Sequence, residues 1–162
     1  MVLLNRRAVD ADAAKACDLV RRSITELCIA DHQGDKATVA EWLANKTEAN
    51  FARWIASPLH AAIVAGKGGT IVGFALLNRA GTITLLYVAP EARFQGVSKK
   101  LLRAVEDYAA AWDIDLLKLE SSITALSFYE RHGFSRAGPA ARGFGVSHAY
   151  PLHKQVRPSF PH

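Results

Sequence analysis

The residues with the plainest capacity for chemistry are Arg93-Phe94-Gln95-Gly96-Val97-Ser98-Lys99. Basic side chains bracket a glycine, and a helical apolar pattern opens at Val97 and continues through Leu101, Leu102, Val105, Tyr108 and Ala109. The first N–H groups of a helix have no partner inside it and carry partial positive charge. A basic turn leading into such a helix is an anion site, and Gly96 lets the backbone approach the anion closely. Ser98 is small, and its hydroxyl can donate to a phosphate. Upstream, Leu85-Leu86-Tyr87-Val88 is an apolar run that stops at Ala89-Pro90. Strand, turn and helix start therefore meet at one point.

Other reactive types are dispersed. Cys17 and Cys28 fall on one predicted helix, where eleven residues span about 16 Å, too far for a disulfide, which needs Cα atoms within about 7 Å. They read as buried apolar residues of a reducing compartment. His148 and His153 come with no carboxylate pattern, so no metal site is expected. Neither a G-x-S-x-G elbow nor a phosphate-binding G-x-x-x-x-G-K-[ST] loop occurs.

The chain has 162 residues, 50% hydrophobic and 22% charged, which suits one globular domain. A net charge of +5 and a pI near 9.4 favour anionic partners. The basic residues come in pairs such as Arg6-Arg7, Arg21-Arg22 and Lys99-Lys100, with no run of five, so no nucleic-acid-binding tail is expected. No apolar run approaches the ~20 residues that span a bilayer. The N-terminus offers no signal-like apolar stretch before Asp10, so a cytoplasmic protein without membrane partners is expected.

The elements that must position the turn follow from periodicity. A short strand is expected over Val2 to Val9. An amphipathic helix follows to about Ala30, with Ala13, Cys17, Val20, Ile24, Leu27 and Cys28 as its apolar stripe. Asp31-His32-Gln33-Gly34-Asp35 breaks it. Helices are expected from Ala37 to Asn45 and, capped by Thr47, through Trp54 to Pro58. Ala61–Ala65, Thr70–Leu77 and Thr82–Val88 read as an antiparallel meander on tight turns, the last strand buried and central by its continuous apolar end. A helix from Val97 to near Trp112, a strand over Asp115–Glu120 and a helix capped by Ser121 or Ser122 follow, the last stopped by Gly133. Phe134 starts another strand, and Gly143–Tyr150 is the last. Residues 153–162 are expected as a tail after a single domain over 1–152. The order implies an α/β fold: a mixed, mostly antiparallel sheet flanked by helices.

With these elements in place, Leu86-Tyr87-Val88-Ala89-Pro90 followed by Arg93-Phe94-Gln95-Gly96-Val97-Ser98 resembles the acetyl-coenzyme A signature of the GCN5-related N-acetyltransferases (GNAT). That signature is a strand ending in a hydrophobic-x-proline, then Arg/Gln-x-x-Gly-x-Gly/Ala at a helix start. Arg93 and Gly96 match; Ser98 replaces the usual Gly or Ala. Ala125-Leu126-Ser127-Phe128-Tyr129-Glu130-Arg131-His132-Gly133-Phe134 resembles the family's second motif, Ala-x-x-Phe/Leu-Tyr-x-x-x-Gly-Phe. Ser122 stands where many members have Asn.

The resemblance implies acetyl-CoA as cosubstrate and a primary amine as acceptor, whether a small molecule or the amine of a peptide or protein. The pyrophosphate falls to Arg93, Phe94, Gln95, Gly96, Val97, Ser98 and Lys99. The pantetheine falls to a strand, Leu86, Tyr87 and Val88, that splays from its neighbour. The Val88 N–H becomes the donor to the thioester oxygen. Tyr129 becomes the general acid for the departing thiolate, and Ser122 a cap that also touches the cofactor. Glu26, Asp31, His32, Glu120 or a water chain are left open as the base. A homodimer is possible for such a protein. The alternatives are a non-catalytic acyl-CoA-binding or regulatory domain of the same fold and, from the pI alone, a nucleic-acid-binding domain.

Overall fold

The computed structural model describes residues 2–156. It is the expected mixed α/β architecture, in two antiparallel sheets. The first has the order β1-β2-β3-β4, formed by Leu3–Arg7, His60–Lys67, Thr70–Asn78 and Ile83–Val88. The second is built on β8 (Val146–Gln155), which pairs with β5 (Leu116–Ser121) on one side and with the short β6 (Ser135–Arg136) and β7 (Ala141–Gly143) on the other.

Helices cover both faces of the first sheet. On one lie α1 (Ala13–Leu27), α3 (Lys36–Leu43) and α4 (Glu48–Ala56). Their buried side chains pack in register with the sheet: Phe51 of α4 sits 5.3 Å from Phe74 of β3, ring centre to ring centre. On the other face lies α5 (Val97–Ala111). It comes close because β3 carries Gly73, where a Cβ would stand 2.7 Å from Val97 Cγ1 and 2.8 Å from Leu101 Cδ1. The last helix, α6 (Ile123–Arg131), is capped by Ser122, whose Oγ accepts the Ala125 N–H at 3.1 Å.

Four expectations change. The first helix ends at Cys28 rather than Ala30, and Ile29–His32 forms a separate turn, α2, closed by Gln33 at φ +53°. Asp31 and His32 are therefore helical, not part of the break. The strand expected to end at Tyr150 starts at Val146 and runs through Pro151 to Gln155, beyond the boundary placed at residue 152; the rest of the expected tail, 157–162, lies outside the described residues. Proline fits because its carbonyl accepts from the Ala137 N–H, just past β6. Its absent N–H faces that same side, where the ladder has already stopped. Finally, β4 is not a buried central strand. It is the edge of the first sheet, with Thr84 exposed and Leu86, Tyr87 and Val88 half-buried. Among the described residues the sheets are joined by one parallel bridge, Thr82 to Lys118, and part beyond it.

Candidate active site

The turn expected to bind an anion is built as local rules require. Phe94 and Gly96 both adopt left-handed backbone, at φ +66° and +79°. Gly96 is the N-cap of α5 and has no side chain to cap it, so the first N–H groups of the helix, on Val97, Ser98 and Lys99, face outward. A Cβ at Gly96 would meet no protein atom within 4 Å; glycine is required there by conformation, not by crowding. Arg93, Phe94, Gln95 and Lys99 are exposed, Ser98 is half-buried and Val97 is buried beneath them. The Arg93 guanidinium lies 4.6 Å over the Phe94 ring. Lys67 donates to Gln95 Oε1 at 3.0 Å, and Arg22 pairs with Glu91 at 2.9 Å, so the turn is tied to β2 and α1.

The parted strands make a second feature. The Ala89 N–H donates to the Val72 carbonyl at 2.8 Å. Strand alternation then directs the N–H and C=O of Tyr87 toward β3 and those of Leu86 and Val88 away from it, on the unpaired side. Of the three strand residues, Tyr87 has its backbone engaged in the ladder. Its phenol accepts from Trp42 Nε1 at 3.3 Å, and burial raises its pKa. An extra residue at Thr84, opposite the Leu76–Leu77 step, bulges β4 just before this point.

A narrow slot of about 90 Å³ lies between β4 and β5. Leu86 and Tyr87 border it from β4, Glu120 and Ser122 from β5 and its end, Tyr129 from α6, and Trp42, Lys46 and Phe144 from behind. Tyr129 is 5% exposed and packed edge-on against Phe128 and Phe134. Among the described residues its hydroxyl has no hydrogen-bond partner. Burial pushes its pKa up, so the phenol keeps its proton at neutral pH.

The four candidate bases separate cleanly. Asp31 holds α6: one oxygen accepts the Ile123 N–H at 2.6 Å, the other the Thr124 N–H and hydroxyl at 3.2 and 2.6 Å. His32 is buried with both ring nitrogens engaged, Nε2 with the Ile24 carbonyl and Nδ1 with the Gly34 N–H, each at 3.0 Å. That pattern makes Nε2 the donor and Nδ1 the acceptor, the neutral tautomer of a structural histidine. Glu26 is exposed on α1 and borders no slot. Only Glu120 reaches the slot. Its carboxylate also lies against Gly143, where a Cβ would be 2.7 Å from Oε2.

Sequence reasoning missed Lys46. Set among Asn45 and Thr47 in a polar link, it carries no local sign of burial, yet it is 7% exposed. Its pKa is lowered to about 8 by burial alone. Trp42 is fully buried and borders the slot.

Known proteins share this fold. The chain is 32% identical over 108 residues to the N-alpha-acetyltransferase RimI of Mycobacterium tuberculosis, an overlap of 62% of this chain and 68% of that one. The GCN5-related N-acetyltransferase of Rhodopseudomonas palustris superposes with a TM-score of 0.83 at 25% identity, over 96% of this chain and 98% of the other. The PaiA N-acetyltransferase of Thermoplasma acidophilum, solved in complex with coenzyme A, shares the fold with a TM-score of 0.80 at 18% identity over 96% and 99%. Residues 28–150 match the acetyltransferase (GNAT) domain, and the chain belongs to that family of N-acetyltransferases.

Proposed function

We propose that this protein transfers the acetyl group of acetyl-CoA to a primary amine by direct attack, with Tyr129 as general acid and Glu120 as base. The observation that carries the reading is the parting of β4 from β5. It frees the backbone of Leu86 and Val88 beside a slot that Tyr129 and Glu120 both border. The residues fit the cosubstrate. An uncapped helix N-terminus with Arg93 and Lys99 nearby suits the pyrophosphate, and the open ground before Gly96 gives it room. The free strand edge suits pantetheine amides, which pair as an added strand would.

Acetyl-CoA supplies the activated acyl group; the rest falls to this chain's residues. Glu120, directly or through a water, takes a proton from the acceptor's ammonium, leaving a lone pair for the thioester carbon. The Val88 N–H donates to the carbonyl oxygen as the C–N bond forms and negative charge gathers there. As the C–S bond breaks, Tyr129 gives its proton to the sulfur, the newly bonded nitrogen sheds its second proton to water to become the amide, and Tyr129 recovers a proton from solvent. Asp31 acts at a distance, fixing the start of the helix that carries Tyr129.

Tyr129→Phe tests this reading. The hydroxyl has no partner among the described residues, so its loss should leave nothing unsatisfied there and the fold intact. Turnover, followed as free thiol released with an amine panel, should fall roughly 10²–10⁴-fold, while acetyl-CoA affinity stays within about threefold. Turnover that stays near wild type in the variant rejects the phenol as the acid; a wild-type protein that binds acetyl-CoA but acetylates no amine is a binding module.

A further inference from the structure

Two residues of ordinarily charged type, an aspartate and a lysine, are buried among the described residues, Asp12 and Lys46. Asp12 has its counter-ion, Arg6 Nη1 at 2.7 Å. Lys46 has none. Its ammonium donates to Asn45 Oδ1 at 2.8 Å, and no carboxylate among the described residues pairs with it. A buried cation without a counter-charge is costly to hold. The depressed pKa reports that cost, and no acidic side chain offsets it.

The position of Lys46 is nonetheless firmly set. Its carbonyl accepts from Arg21 Nη1 at 2.7 Å and from Cys17 Sγ at 3.3 Å, and its N–H donates to the Leu43 carbonyl at 2.9 Å. Arg21 also bonds the Leu43 carbonyl at 3.0 Å, so α1 clamps the link between α3 and α4. Lys46 is one of the residues that line the slot bordered by Tyr129 and Glu120. At about 90 Å³ that slot takes a compact head group. One border carries a carboxylate and another a lysine with no paired carboxylate among the described residues, which is the charge pattern of a zwitterion in reverse.

We propose that Lys46 binds a carboxylate of the acceptor, and that the acceptors are amines with a carboxylate a few bonds from the nitrogen. Free amino acids and peptides beginning with an acidic residue share that chemistry. Polycationic amines are disfavoured, because they bring a second positive charge to Lys46. This inference rests on the slot being the transfer site.

The test compares acceptors that differ only in the carboxylate: an amino acid and its carboxamide, and a peptide beginning with Glu and one beginning with Gln. The wild-type enzyme should favour each carboxylate by at least tenfold in kcat/KM, the larger preference naming the source. Lys46→Met should bring the ratio to about one, and Lys46→Arg should keep part of it. A readout free of turnover runs beside it: with CoA saturating, the preferred carboxylate acceptor should raise the Tm of wild type and not of Lys46→Met. Equal ratios in wild type and Lys46→Met, or no Tm response to any carboxylate acceptor, overturn the proposal. So does acetyl found on Lys46 itself by peptide mapping during turnover, which makes the lysine a nucleophile. Equal and brisk turnover of carboxylate and carboxamide removes only this inference. Absence of transfer to any amine removes the transferase reading instead, and the Tm comparison still decides on Lys46.

Discussion

Replacing Gly73 with alanine puts a Cβ 2.7 Å from Val97 Cγ1 and 2.8 Å from Leu101 Cδ1. Apolar carbons rest about 3.5–4.0 Å apart, so the shortfall is on the order of 1 Å. Neither neighbour can swing clear. Val97 is β-branched, with essentially one helical rotamer, and both side chains are buried. The first turn of α5 must lift from the sheet instead. Overpacking of this kind costs about 1–3 kcal/mol, and for a protein of this size each kcal/mol lowers Tm by about 2–4 °C. Calorimetry should therefore show a fall of about 2–12 °C. The same turn carries the proposed pyrophosphate site, whose N–H groups move with it, so acetyl-CoA should bind roughly tenfold more weakly, about 1.4 kcal/mol. Gly66→Ala is the control. It also lies in the first sheet, but its added Cβ would find nothing nearer than the Thr70 carbonyl at 3.7 Å. That variant should match wild type or gain a few tenths of a kcal/mol. If Gly73→Ala behaves like Gly66→Ala in both measurements, close approach of α5 is not what the glycine provides.

Asp31→Ala removes the acceptor of three hydrogen bonds at the start of α6. Loss of such a cap costs about 0.5–2 kcal/mol; chemical denaturation should show it, and kcat should fall more than acetyl-CoA affinity because Tyr129 rides on that helix. Lys46 makes stability depend on pH. Its folded pKa of about 8 lies below the ordinary 10.5, so the unfolded chain binds more protons between those values. Stability should rise as pH rises through 8 toward 10.5, by at most about 3 kcal/mol, with the whole penalty present below 8. Lys46→Met should lack this rise and be more stable than wild type at pH 7; parallel pH profiles of the two proteins would contradict it.

What the sequence reveals here is what neighbours in the chain decide. Gly96, the basic residues around it and the apolar stripe from Val97 act within one turn, so the basic turn and the helix start are legible before any fold is known. Ser122 caps α6 and Gly133 ends it for equally local reasons. The rest depends on distant pairings. Leu85-Leu86-Tyr87-Val88 has the same apolar pattern whether a strand joins its outer edge or leaves it, so periodicity alone reads it as buried and central. Its edge position follows from β5 pairing with β8 instead. Asp31 looks like a loop acid until Ile123 and Thr124, more than ninety positions on, are seen to donate to it. Lys46 looks like a solvated lysine until Cys17 and Arg21 of α1 are seen to bond its carbonyl and its N–H to bond Leu43 of α3. Pro151 looks like a stop because sequence does not say which side of the strand its missing N–H will face.

The central claim is that the splay beside β4 and the N-terminus of α5 hold one acetyl-CoA with its reactive end at Tyr129. A structure of the protein with coenzyme A measures this directly. The account predicts phosphates on the Val97, Ser98 and Lys99 N–H groups, pantetheine paired with the backbone of Leu86 and Val88, and the sulfur within hydrogen-bonding reach of the Tyr129 hydroxyl. Coenzyme A bound along another edge, or with its sulfur turned away from Tyr129 and the Val88 N–H, contradicts it.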